Sequence, residues 1–147
     1  LSVAPMMERT DRHYRYLMRL ISPKARLYTE MIACAALLRG DAKSLLAYDE
    51  SEHPVAAQLG GNDPQALAEA ARLVAAAGYD EVNLNVGCPS PRVQAGAFGA
   101  RLMLEPELVA DCVAAMRESG LPVTVKTRIG VDHHDDYEVL RSLTERA

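Results

Sequence analysis

Short apolar runs alternate with longer segments of helical spacing and divide the chain into repeating β–α units. The pattern predicts strands over residues 1–4, 26–30, 55–59, 81–85 and 123–127. Between the third and fourth, Asp63 is placed to cap a helix whose first residue is Pro64. Leu67, Ala70, Ala71 and Val74 make its apolar stripe, and Gly78 ends it. A second helix starts at Pro106, carries Leu108, Val109, Cys112, Val113 and Met116 on one face, and stops at Gly120 before Pro122. That stripe assigns Cys112 to the core. A helix is also expected over residues 11–21, where aromatic and basic residues interrupt the stripe, and over 32–48 with a break near Gly40.

Successive side chains of a strand point to opposite faces, so parity separates the two sides of the sheet. Gln58 lies opposite Val55, Ala57 and Leu59; Asn83 and Asn85 lie opposite Val82, Leu84 and Val86; Lys126 and Arg128 lie opposite Val123 and Val125. Each of these strands thus has an apolar side for helices and a polar side towards its C-terminal end. A (β/α) barrel needs that division, because helices cover its outside and functional groups gather at the carboxyl ends of its strands. An open doubly wound sheet buries both faces in apolar residues, and no GxGxxG follows the first strand. The expected fold is therefore α/β, a partial (β/α)8 TIM barrel of about five βα units. Complete barrels run to about 250 residues, and the 147 residues here leave the first and fifth strands as open edges. Leu1 already sits in an apolar run, and Leu140 and Leu143 keep helical spacing up to the end, so both ends are expected to be internal to a longer protein.

With 49% hydrophobic and 24% charged residues, residues 1–147 have the makeup of one soluble globular unit or part of one. The longest apolar runs, 33–38 and 73–77, are far too short to span a bilayer, and no basic segment with an apolar run behind it opens the chain. Three cysteines, an odd number with no CxxC pair, argue against a disulfide framework and for a reducing cytoplasm. A net charge of -4 offers no overall attraction to phosphate, so contact with nucleic acid has to come from a local basic patch or from another part of the protein. Arg9, Arg12, Arg15 and Arg19 are a candidate stripe, diluted by Glu8 and Asp11. His133-His134-Asp135-Asp136 invites a metal reading, but adjacent ligands converge poorly on one ion and the acidic pair suits the start of a final helix; no metal is expected.

The chemistry concentrates in Asn83-Leu84-Asn85-Val86-Gly87-Cys88-Pro89-Ser90-Pro91, followed by Gly96 to Met103. Gly87 permits a turn, and Pro89 biases Cys88 away from helix, so the thiol is held on a loop above the strand ends. Barrel chemistry often sits on such loops, yet on these residues alone a structural reading of Cys88 stays open beside the functional one.

NLNVGCPSP with the downstream GAFGARLM resembles the signature of tRNA-dihydrouridine synthases. Ala4-Pro5-Met6-Met7, Tyr28-Thr29-Glu30-Met31, Gln58-Leu59-Gly60-Gly61 and Val125-Lys126-Thr127-Arg128-Ile129-Gly130 match further landmarks in order along the whole chain, most like the A subfamily. Ala95 and Arg101 depart from the usual Asn and Cys. The resemblance implies FMN reduced by NADPH, and hydride transfer to C6 of a D-loop uridine of tRNA with a proton delivered to C5. Cys88 becomes the general acid, a role that suits a thiol, since a free thiol (pKa about 8.5) is mostly protonated at neutral pH. Lys126 matches the lysine at the flavin pyrimidine edge, Gln58 a hydrogen-bonding partner of the same ring, and Pro5, Met6 and Met7 the flavin floor. Asn85 matches a contact to the target base, and Arg128 is placed with it on the substrate side. Two rivals stand beside this reading: an FMN barrel acting on a free pyrimidine, and a catalytically dead RNA-binding module. Because barrel phosphate sites are commonly built after the seventh and eighth strands, the 147 residues alone are expected to bind FMN weakly or not at all and to turn nothing over. No oligomeric state follows from the sequence.

Overall fold

The computed structural model describes residues 1–131 and 137–146. Four parallel strands pair in the order of the sequence: β1 (Leu27–Ala33), β2 (Val55–Gly60), β3 (Glu81–Val86) and β4 (Val123–Thr127). Helix α1 (Arg12–Ile21) precedes β1, and α2 (Cys34–Arg39) and α3 (Ala42–Leu45) follow it. Helix α4 (Pro64–Ala76) joins β2 to β3. Then α5 (Pro91–Ala95), a 3-10 segment over Gly99–Leu104 and α6 (Pro106–Arg117) lead to β4, and α7 (Tyr137–Arg146) comes last. Parallel strands in sequential order, each joined to the next by a helical return, are the arrangement of a partial TIM barrel.

The core lies between the sheet and α4 with α6. Val55, Ala57 and Leu59 of β2 and Val82, Leu84 and Val86 of β3 meet Leu67, Ala70, Ala71 and Val74 of α4 and Val109, Cys112, Val113 and Met116 of α6, all buried. Asp63 caps α4 as its sequence predicts, accepting the Ala66 N–H at 2.7 Å. Truncating a large residue of this core, such as Leu67, removes contacts worth about 2–5 kcal/mol.

The structure departs from the sequence pattern at three places. Residues 1–4 form one parallel bridge, Ser2 to Arg26, in place of a strand; Leu1 and Val3 exchange backbone bonds with Arg26 before Pro5, which has no N–H to offer, ends the pairing. Strand β1 runs on to Ala33, so Ile32 and Ala33 extend the sheet where helix was expected, and the break at Gly40 divides α2 from α3. Its register slips between Tyr28 and Met31, where the Thr29 hydroxyl accepts the Gln58 N–H at 3.0 Å. The third departure is in α1. Arg15 and Arg19 turn inward and are buried, while Leu17, Leu20 and Ile21 are exposed. Glu52 and the free carbonyls around it draw them in: Arg15 Nε meets Glu52 Oε2 at 2.5 Å, and Arg19 donates to the carbonyls of Ser22 and Glu52. The basic stripe considered for RNA is therefore split, with Arg15 and Arg19 removed from any outer surface. His133 to Asp136, weighed as metal ligands, lie outside the described residues.

No helix among the described residues is long and apolar enough to cross a membrane.

Candidate active site

Pairing register sets the polar residues of the inner sheet face side by side. Gln58 is in register with Asn83, Asn83 with Thr124, and Asn85 with Lys126. Gln58, Asn83 and Asn85 are 2%, 3% and 8% exposed, so their amides must find partners within the protein. They find each other: Gln58 donates from Nε2 to Asn83 Oδ1 at 2.7 Å, and Asn85 donates from Nδ2 to Gln58 Oε1 at 2.9 Å. Asn83 in turn donates to the Thr124 hydroxyl at 2.8 Å.

At the top of β3 the chain turns away from the sheet, and Asn85 shapes the turn. Its Oδ1 accepts the N–H of Gly87 at 3.2 Å and that of Cys88 at 2.9 Å, the local side-chain-to-backbone bond that makes asparagine a turn former. Space at Gly87 is tight: a Cβ there would come 3.2 Å from the Thr127 backbone carbon, close enough that the neighbour would have to give by a few tenths of an ångström. Arg128 closes this approach by donating from Nε to the Gly87 carbonyl at 2.7 Å. On the far side the Cys88 carbonyl accepts the Ala100 N–H at 2.9 Å, which needs Gly99 at φ +69°, where a Cβ would lie 2.6 Å from the Cys88 oxygen and 2.4 Å from Val93. Cys88 is thus held at its N–H and its carbonyl. Its thiol is half-buried, with Sγ 3.5 Å from the Ser90 hydroxyl.

A cavity of about 240 Å³ opens on the sheet face that carries Asn83, lined by Ala4, Pro5, Tyr28, Asn83, Thr124 and Lys126 among others; Cys88, Asn85 and Arg128 are not among its lining residues. Of the residues singled out from the sequence, Pro5 and Lys126 face this space, and Gln58 adjoins it through Asn83. Met6 and Met7 do not line it; they are exposed on the segment beyond Pro5, where Thr10 ties the Met6 backbone. Lys126 is exposed, and among the described residues no carboxylate or carbonyl pairs with its ammonium. A cleft of similar size, about 250 Å³, lies between α1 and residues 47–52, away from the strand ends.

The foot of the inner face holds residues that the sequence reading passed over. Glu81 Oε1 accepts the hydroxyls of Thr124 at 2.6 Å and Tyr28 at 2.8 Å, and its carboxylate pairs with Arg26. Burial, and then the Glu81 carboxylate, push the Tyr28 phenol up to about 12, so it remains a donor. The signal was available: Glu81 and Thr124 share the inward parity of Asn83 and Lys126. The other two cysteines are of a different kind from Cys88. Burial pushes Cys34 up to about 12 and Cys112 up to about 11, both within the core. Among the described residues no three His, Cys, Asp or Glu side chains are grouped to hold a metal.

Comparison with known proteins gives this geometry a setting. The family model described as dihydrouridine synthase (Dus) matches residues 2–147. A protein of Xanthomonas campestris pv. campestris named tRNA-dihydrouridine(20/20a) synthase is 60% identical over 147 residues, covering 99% of this chain and 44% of its own length. Proteins of the same name from Synechocystis sp. and Escherichia coli are 59% and 61% identical, over 99% and 95% of this chain. The chain spans less than half the length of these relatives, 44% and 40% for the last two.

Proposed function

The chain belongs to the dihydrouridine synthase family, and from that premise we propose that it is the N-terminal part of a TIM-barrel catalytic domain that reduces uridine to dihydrouridine in the D-loop of tRNA. The relatives' names place their target at positions 20 and 20a, and we extend that target to the full protein. The observation that carries the reading is the Cys88 thiol: half-buried on a loop fixed at both its N–H and its carbonyl, directly after the strand whose Asn85 is in register with Lys126.

The donor set suits FMN. An ammonium with no carboxylate partner among the described residues, at a cavity that also presents Pro5, Val125 and the Asn83 amide, offers a cation for the electron-rich pyrimidine edge beside an apolar wall. Lys126 would meet that edge, Gln58 would stand behind Asn83 as the second polar partner, and Pro5 would form part of the floor, with Met6 and Met7 outside the cavity lining. FMN held there would supply hydride, with NADPH as its reductant, for C6 of the uracil. Cys88 delivers the proton to C5, so that the C5=C6 bond is saturated, and the sulfur left as thiolate regains its proton from solvent. Asn85, with both Oδ1 bonds given to the loop and one Nδ2 hydrogen given to Gln58, keeps one N–H for the target base. Arg128 stands on the same side.

In a protein completed with a C-terminal half and assayed for dihydrouridine in unmodified tRNA, Cys88→Ala retains flavin and NADPH oxidation while product formation falls by about 10²–10⁴-fold, the range of a lost general acid. Full product yield from Cys88→Ala removes the thiol from the mechanism. The 147 residues alone bind FMN weakly or not at all and give no turnover; a flavin absorbance band that accompanies them through gel filtration contradicts this.

A further inference from the structure

The polar groups on the inner face of the sheet form one directed series of hydrogen bonds, and its direction is decided at the end farthest from Cys88. Glu81, the first residue of β3, is 4% exposed, paired with Arg26, and as a carboxylate it only accepts. Thr124 has a single hydroxyl hydrogen and gives it to Glu81, so its oxygen is left to accept from Asn83 Nδ2. Turned that way, Asn83 presents Oδ1 to Gln58 Nε2; Gln58 presents Oε1 to Asn85 Nδ2; and Asn85 is left with Oδ1 towards the N–H groups of Gly87 and Cys88. Each amide is nearly symmetric in shape and would fit flipped. A flip at any one of them would set donor against donor or oxygen against oxygen at its neighbours, in a buried place where an unmet polar group is costly.

We propose that Glu81 and Thr124 are positioning residues for Cys88: the carboxylate at the foot of β3 sets the polarity of three amides in series and thereby aims Asn85 Oδ1 at the loop that carries the thiol. The consequence for turnover rests on the reading of Cys88 as the proton donor. The wiring itself does not, and it is measurable without tRNA.

The test is amide hydrogen exchange on the protein completed with its C-terminal half, without tRNA, with Thr124→Val, which keeps the shape and removes the hydroxyl, and Thr124→Ser, which keeps the hydroxyl. In Thr124→Val the Gly87 and Cys88 N–H groups exchange about tenfold faster, as loss of one side-chain bond implies. The ladder N–H groups of β2 and β3 exchange at parent rates, and Thr124→Ser behaves as the parent throughout. Glu81→Met, which removes both carboxylate oxygens and leaves no carboxylate to accept the Thr124 hydroxyl, reproduces the selective loss and decides the matter alone if Thr124→Val does not fold. Parent-like exchange at 87 and 88, acceleration spread evenly over the sheet, or a serine variant that behaves like valine overturns the proposal. If the exchange pattern holds but Cys88→Ala in the completed enzyme makes dihydrouridine at the full rate, the assignment of the acid fails and the wiring stands.

Discussion

Arg128 donates from Nε to the carbonyl oxygen of Gly87 at 2.7 Å, so the end of β4 is tied to the residue before Cys88. The guanidinium is exposed, and removing this one bond costs the fold about 1 kcal/mol or less. Its effect is expected on the loop. Arg128→Ala changes the alkylation rate of Cys88 by iodoacetamide while the urea midpoint moves little. Arg128→Lys does not restore the parent rate, because an ammonium on a flexible stem does not reproduce the planar donor. Equal alkylation rates in all three proteins would show that the tie has no hold on the thiol.

Arg15 and Glu52 make the opposite case, an ion pair with side chains 5% and 0% exposed. Loss of either partner leaves a buried charge alone, so Glu52→Ala lowers unfolding free energy by about 3–5 kcal/mol. Arg12→Ala, on the outer side of the same helix, stays within about 0.5 kcal/mol of the parent. Urea denaturation of the three proteins side by side checks the contrast.

Thiol titration separates the cysteines. With Cys34 and Cys112 buried in the core and raised to about 12 and 11, only Cys88 reacts with Ellman's reagent in the folded chain, and all three react in guanidinium. Cys88→Ala abolishes the native reaction. A native count above one would place a second thiol at the surface.

Asp80 gives the fold an acid dependence. Burial acts to raise its carboxyl, but the Val55 N–H at 2.6 Å and His53 at 2.7 Å outweigh it and hold the group below its ordinary value of 3.8. A carboxyl lowered in the folded state contributes stability that is present above its unfolded pKa and is lost as pH falls through the folded one. Asp80→Asn is therefore less stable than the parent at pH 7, and the difference narrows as the pH is taken below about 4. Thermal unfolding from pH 7 to pH 3 reads the convergence; a constant gap would assign the effect to packing.

Periodicity and parity made most of this architecture legible. The helices after Asp63 and Pro106 carry their motifs in consecutive residues, and the inward side of β2, β3 and β4 could be read from Gln58, Asn83 and Lys126, because both signals are local. The inversion of α1 was not legible: a stripe of arginines reads as solvated until Glu52, 37 residues from Arg15, is folded against it. Nor did the pattern show that the Thr29 hydroxyl would accept the Gln58 N–H where the register of β1 slips. The same holds at the site. Cys88 and its flanking Gly and Pro are adjacent in the chain, whereas the bonds from Glu81 to Asn85 cross between strands and needed their register.

At Gly99 the consequence reaches beyond the turn itself. Every replacement there, alanine included, must displace the Cys88 carbonyl or Val93. Under the function proposed above, a survey of inactivating changes would score position 99 as severely as the sulfur, although no reagent meets it, and an intact flavin spectrum beside vanished product would then mark a misplaced proton donor, not a missing one.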